Sequence, residues 1–262
     1  MSTKKIHLLT VVGTRPEIIR LSSIINRLNK SKSIKHTLVH TGQNYDYNLN
    51  EVFFKDLKIS KPDIFLEAAS DSPAKTIGNI LIKIDSVLDD LKPDALLILG
   101  DTNSCLSAIA AKKKKIPIFH YEAGNRCFDQ RVPEETNRKI VDHVADINLT
   151  YSSIARDYLL KEGLNPDRTI KIGSPMFEVL NSQKEAINNS RILTKLKLES
   201  GKYFLISCHR EENVDNKKNF KLLIESLNEL ANKYKMPIVF PVHPRTKKIY
   251  KKSKLKVDKR VE

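Results

Sequence analysis

Tryptophan is absent from the 262 residues, and aromatic side chains make up only 6% of them. A surface that grips single-stranded nucleic acid needs stacking rings along a basic groove. The expectation is therefore no nucleic-acid partner, despite a formal charge of +15. Eight glycines and eleven prolines are too few for a collagen-like or low-complexity chain. Cys105, Cys127 and Cys208 are an odd set without paired spacing, which argues against a disulfide scaffold and a zinc ribbon. No other cluster has metal-ligand spacing either, so no metal is expected. No apolar run approaches the ~18 residues that a membrane span requires. The apolar stretch Ile6–Val12 is followed by Arg15 and Glu17 rather than by a small-residue cleavage site. It reads as a first strand and not as a signal peptide. These absences lead to the expectation of a cytoplasmic protein without a membrane partner.

What is present is 40% hydrophobic residues, enough to exclude a wholly disordered chain. The length suits one large domain or two small ones. Short apolar runs alternate with helical patterns. The runs are Ile6–Val12, His36–Thr41, Asp63–Leu66, Ala95–Leu99, Pro117–Tyr121, Ile147–Thr150, Thr169–Ile172, Tyr203–Ser207 and Pro237–Pro241. Between two of them, Ile77, Ile80, Leu81, Ile84, Val87, Leu88 and Leu91 recur at helical spacing. Strands that are apolar throughout and alternate with helices predict an α/β fold with a parallel sheet covered on both faces. Gly173 and Pro175 punctuate the chain. The reading is one domain over 1–176 and the start of a second over 177–262. The tail "KKIYKKSKLKVDKRVE" offers few apolar residues, so a third strand in the second domain is not expected from it.

The basic surplus, 46 Lys and Arg against 31 Asp and Glu, favours anionic partners. Its densest run, Lys112–Lys115, falls where a helix is expected to end. A cationic last turn suits the helix dipole, so a solvated helix end explains it.

Ligands of open α/β sheets bind at the carboxyl ends of the strands. The residues found there carry the chemistry. After the first run stand Gly13, Thr14, Arg15, Pro16 and Glu17, and after the second Gly42 and Gln43. Later runs lead into Asp101-Thr102, Glu122-Ala123-Gly124-Asn125-Arg126, Cys208-His209-Arg210 and Val242-His243-Pro244-Arg245. Each has an ordinary reading too. Arg15 is a surface charge, Pro16 a helix starter, Asp101 a helix cap, and Glu122 a partner for some arginine. Glu134 and Arg138, four apart, have the spacing of a helix-surface ion pair. Together, however, they describe a crevice of carboxylates, histidines and arginines. Arginines at helix N-termini suit a phosphate or diphosphate, and carboxylates with histidines suit acid–base work. No G-x-G-x-x-G follows the first strand, and no P-loop is present, so a dinucleotide fingerprint and ATP hydrolysis are disfavoured.

In order, "VVGTRPE", "HTGQNYD", "LGDTNS", "HYEAGNR", "PEETNR", "CHREEN" and "PVHPRT" resemble the non-hydrolysing UDP-N-acetylglucosamine 2-epimerases. The run "EAGNRCFDQRVPEETNRKIVDH" most resembles the subgroup acting on UDP-2-acetamido-2,6-dideoxy-hexoses, which forms UDP-N-acetyl-L-fucosamine. In the standard enzymes a leucine usually stands at the place of Asn125.

The resemblance implies a GT-B-like fold of two Rossmann-like domains with the substrate between them, and a homodimer at full length. It implies a cofactor-independent isomerase that expels UDP by anti-elimination and adds it back with C2 inverted, for capsule and O-antigen sugars. By the same resemblance Asp101, Glu122, Glu134 and His209 are the catalytic residues, with His209 near the diphosphate. Arg15, Arg20, Gln43, Arg138 and His243 are substrate-binding. Arg20 stands where the family usually has a lysine.

Family members run roughly a hundred residues longer, about half a domain. The expectation is thus an incomplete second domain, lacking the loop that holds the nucleotide. Two alternatives stand beside the epimerase: an inactive or complementation-dependent fragment of one, and a GT-B glycosyltransferase.

Overall fold

The computed structural model describes residues 4–42, 53–208, 216–242, 244–253 and 255–261. It forms two compact units, Met1–Lys184 and Glu185–Glu262.

The first unit is built on β1 (Ile6–Val12), β2 (Ile34–His40), β3 (Ile64–Phe65), β4 (Ala95–Leu99), β5 (Ile118–Ala123), β6 (Ile147–Thr150) and β7 (Thr169–Lys171). They pair in parallel in the order β3-β2-β1-β4-β5-β6-β7. Helices α1 (Arg15–Asn29), α2 (Pro73–Leu91), α3 (Ser107–Lys113), α4 (Pro133–Val144) and α5 (Ser153–Lys161) alternate with the strands, and α6 (Met176–Asn188) begins in this unit and ends in the next. This is the expected α/β, Rossmann-like arrangement.

β4, Ala-Leu-Leu-Ile-Leu, is buried along its whole length. Successive side chains of a strand point to opposite faces, and both faces are covered. Leu96 and Ile98 join Leu9 and Val11 against Ile80, Ile84 and Leu88 of α2. Leu97 and Leu99 join Val12 and Leu38 against Ile18, Leu21 and Ile25 of α1. The helical stripe read in the sequence is thus the inner face of α2. That helix is capped by Ser72, whose Oγ accepts from the Lys75 amide at 3.2 Å.

Strand ends differ from the apolar runs in ways that matter for function. β5 continues beyond Tyr121 to Ala123, with an irregular register between the two. A polar residue, Glu122, interrupts the apolar pattern there, so hydrophobicity alone stops the strand early. The Lys112–Lys115 run is a helix end, as expected: Lys112 pairs with Asp146 at 2.6 Å and Lys114 with Asp89 at 2.6 Å.

The second unit holds α7 (Ile192–Lys195), β8 (Phe204–Leu205), α8 (Lys217–Tyr234), β9 (Ile238–Val239) and α9 (Pro244–Ser253). β8 and β9 pair in parallel. Phe220, Ile224, Leu227 and Ala231 of α8 pack with Ile238 and Phe240. Among the described residues the tail adds no third strand to this two-stranded sheet, as expected, but it packs on the unit. Val261 bridges Ile238 in parallel, and Ile249, Leu255, Val257 and Val261 pack on the cluster. Few apolar residues suffice because they are spaced to face one way, while Lys247, Lys248, Lys251, Lys252, Lys256 and Lys259 stay exposed. Among the described residues no helix is long and apolar enough to cross a membrane.

Candidate functional site

β1 and β4 lie side by side although β2 and β3 intervene in the chain, so the strand order reverses between them. Such a reversal opens a crevice at the carboxyl ends. Gly13 follows β1 in a tight spot: a Cβ there would run into the Ser104 and Thr41 hydroxyls, which would have to move to admit it. Glu17, 1% exposed, fills the floor of the turn. Its Oε2 accepts from the Gly13 amide at 2.9 Å, the Thr14 amide at 2.6 Å and Thr14 Oγ1 at 2.7 Å. Its Oε1 accepts from Thr102 Oγ1 at 2.9 Å. Burial pushes this carboxyl up to about 7 despite the four donors.

Asp101 follows β4 and Gly100, whose φ is +77°. Its Oδ2 accepts from Arg138 Nε at 2.6 Å, so it does not serve as a simple helix cap. Asn137 Nδ2 donates to the Asp101 carbonyl at 2.9 Å. α4 therefore grips the loop after β4 with two consecutive side chains.

Glu122 sits at the irregularity in β5. Tyr121 pairs with Leu149 and Ala123 with Thr150, leaving Glu122 between them with φ +65°. A bulge of this kind re-aims a side chain, and a left-handed φ in a residue other than glycine is a strained setting found at functional sites. Gly124 follows at φ +80°, where a Cβ would lie 2.3 Å from the Ala155 carbonyl oxygen. The Glu122 carboxylate takes Arg20 Nη1 on Oε2 and Asn125 Nδ2, at 3.3 Å, on Oε1. Burial raises its carboxyl above the ordinary range, Arg20 opposes the rise and Asp101 adds to it. The carboxylates of neighbouring strands thus act on each other, and each is matched by an arginine.

Glu134 is exposed in the first turn of α4, whereas Glu135 is fully buried. The ion pair of this helix is Glu135–Arg138, at 2.8 Å, and not the four-residue spacing read in the sequence. Glu135 also accepts from the amides of Cys127 and Phe128, both at 3.2 Å. Against the penalty of burial, these amides and Arg138 bring its carboxyl down to about 2. Arg15 stands in the first turn of α1 with its guanidinium carbon 6.0 Å from the Phe53 ring centre. Gln43, His209 and His243 lie outside the described residues.

A buried brace holds these loops from behind. Arg126 Nη1 donates to Asp142 at 2.7 Å, and its Nε and Nη2 donate to Glu162 at 2.8 and 2.6 Å. His120 Nε2 donates to the Gly100 carbonyl at 2.7 Å, and its Nδ1 faces Asp142 at 3.0 Å. Burial disfavours charge on this imidazole, yet Asp142 holds it above its ordinary value. Of these groups Arg126 and Glu17 lie among the residues that follow the apolar runs, whereas His120, Asp142, Glu162 and Glu135 do not. The Thr14-x-x-Glu17 capping pattern was a further signal for Glu17.

The arrangement can do two things. Arginines opposite an open crevice can bind an anionic group, and carboxyl groups beside them can exchange protons with it.

Comparison with known proteins gives a concordant result. The family model of UDP-N-acetylglucosamine 2-epimerase matches residues 26–262. A UDP-N-acetylglucosamine 2-epimerase of Methanococcus maripaludis is 39% identical over 243 residues, covering 91% of this chain and 65% of the relative. A solved UDP-N-acetylglucosamine 2-epimerase structure from Rickettsia bellii superposes with a TM-score of 0.85 at 54% identity, over 96% of this chain and 65% of that one. One from Methanocaldococcus jannaschii, in complex with UDP-GlcNAc and UDP, superposes at 0.88 with 35% identity, over 98% and 72%. The chain spans about two thirds of the length of these proteins.

Proposed function

This chain belongs to the UDP-N-acetylglucosamine 2-epimerase family, and from that premise we propose that it inverts C2 of a UDP-N-acetylhexosamine without a cofactor. The observation that carries the reading is the pair of matched charges at adjacent strand ends, Asp101 with Arg138 and Glu122 with Arg20.

A C2 proton of a sugar has no carbonyl beside it, so removing it directly is difficult. Elimination solves this by letting the electrons of the C2–H bond form a C1=C2 bond as the C1–O bond to UDP breaks. The diphosphate leaves with the negative charge. Stabilising that charge lowers the barrier, and Arg15, with Arg20 and His209, is assigned that task. Asp101, Glu122 and Glu134 share the proton transfers. In the return step a proton is delivered to C2 from the opposite face and UDP re-forms its bond at C1. Nothing is oxidised overall, and every atom is conserved. Burial raises the Glu122 carboxyl and Arg20 opposes the rise, so movement of Arg20 onto a bound anion would favour a proton on Glu122. Gln43, Arg138 and His243 complete the substrate contacts in this assignment.

We further assign the product to bacterial surface polysaccharide synthesis, a cytoplasmic setting and a homodimer. The experiment is incubation of the protein with a UDP-N-acetylhexosamine alone, followed by proton NMR. Appearance of the C2 epimer without cofactor or acceptor is the expected result. Sugar transfer that begins only when an acceptor is added would instead support a glycosyltransferase and overturn the reading.

A further inference from the structure

Glu122 has a neighbour that the proposed chemistry does not use. Tyr151 is the first residue after β6, and β6 is paired with β5 up to Ala123–Thr150. Glu122 and Tyr151 therefore stand at adjacent strand ends on the ligand-binding edge of the sheet. The Tyr151 hydroxyl is buried and has no hydrogen-bond partner among the described residues. A buried phenol normally finds one, so an unmatched donor here asks for an explanation.

Its neighbours do not supply it. Glu122 takes Arg20 on one oxygen and Asn125 on the other, and the phenol pairs with neither. Burial and the charge of Glu122 hold the phenol above its ordinary range, with Arg20 opposing. It is thus a neutral donor at every pH near neutrality. A neutral donor offers little to a diphosphate, which the arginines attract more strongly. It suits an uncharged oxygen, such as a sugar hydroxyl or an acetamido carbonyl.

We propose that Tyr151 is a substrate-binding and specificity-determining residue, whose hydroxyl donates to an oxygen of the hexosamine ring or its acetamido group beside Glu122. This rests on the epimerase reading for the identity of the ligand. The role follows from the chemistry of recognition: a site that presents a buried donor discriminates strongly against ligands that leave it unmatched. Tyr151→Phe keeps the ring and removes only the donor.

The test measures three quantities on wild type and Tyr151→Phe. Thermal unfolding of the variant is expected at the same temperature or higher, since no bond among the described residues is lost. Calorimetric affinity for UDP-N-acetylglucosamine is expected to fall roughly tenfold, while affinity for UDP stays unchanged. A lower unfolding temperature would mean that the hydroxyl has a structural partner, and an unaltered ratio of the two affinities would mean that it does not touch the sugar. Either result overturns the assignment. Failure of the epimerase reading looks different: wild-type protein would leave C2 of the sugar unexchanged, whatever the affinity ratio of the variant.

Discussion

Glu17 and Thr102 join two loops that are far apart in sequence, with Thr102 Oγ1 donating to Glu17 Oε1 at 2.9 Å. The other oxygen of the same carboxyl holds the Gly13 and Thr14 amides. One buried side chain thus fixes both the residue before Arg15 and the residue after Asp101.

This clasp has a pH signature. The Glu17 carboxyl is raised from 4.5 to about 7 by burial, so the native state holds a proton that the unfolded state releases. The associated stability is present below about pH 4.5, declines as pH rises and is lost above about 7, a range worth on the order of 3 kcal/mol. Glu17→Gln mimics the protonated form and should lack this decline. Unfolding of both proteins in urea at about pH 5 and about pH 8 measures it. Equal losses in the two proteins would show that Glu17 is not the titrating group.

The bulge at Glu122 is expected to depend on Gly124. In Gly124→Ala the new methyl would meet the Ala155 carbonyl oxygen at 2.3 Å with φ at +80°. Relief of that contact requires moving the segment that aims Glu122. The expected cost is ~1–3 kcal/mol, together with loss of turnover. Thermal unfolding and epimerisation assays check the two parts, and a variant of wild-type stability would contradict the geometry.

Asp101→Asn and Glu122→Gln should each slow epimerisation by ~10²–10⁴-fold, the usual share of a positioned acid or base. Both substitutions preserve shape and change charge, so folding should survive. Proton-transfer roles for these residues would be refuted by variants that turn over at the wild-type rate.

The substrate is expected to be a UDP-2-acetamido-2,6-dideoxy-hexose in preference to UDP-N-acetylglucosamine. The "AGNRCFDQR" run leads from Glu122 to α4, and its Asn125 bonds Glu122 directly. A pocket fitted to a C6 methyl rejects a hydroxyl only partly, on the order of 10²-fold. Comparing kcat/KM on the two sugars decides it, and a clear preference for UDP-N-acetylglucosamine would defeat the assignment.

The sheet was legible in the sequence because its strands are apolar throughout. β1, β4 and β6 begin and end where the runs Ile6–Val12, Ala95–Leu99 and Ile147–Thr150 do. Asp101 and Glu122 were legible as strand-end residues because they follow such runs, Asp101 after one glycine. The bulge was not, because register irregularities arise from pairing with Leu149 and Thr150, which is long-range information. Nor could spacing separate Glu134 from Glu135. Adjacent residues on a helix point about 100° apart, and which one turns inward depends on how α4 lies on the loop carrying Cys127. The packing of the tail was not legible, because a count of its apolar residues says nothing of their placement. Ile249, Leu255, Val257 and Val261 all pack on one cluster.

The proposed chemistry requires that C2 of a UDP-N-acetylhexosamine be deprotonated and reprotonated in this crevice. Its most direct measurement is deuterium incorporation at C2 when the protein and the UDP-sugar are incubated in D₂O, followed by NMR and mass spectrometry. One deuterium is expected to enter at C2, in both epimers, with none elsewhere on the ring. Epimer formation with the original C2 hydrogen retained, or intact sugar without deuterium, would contradict it.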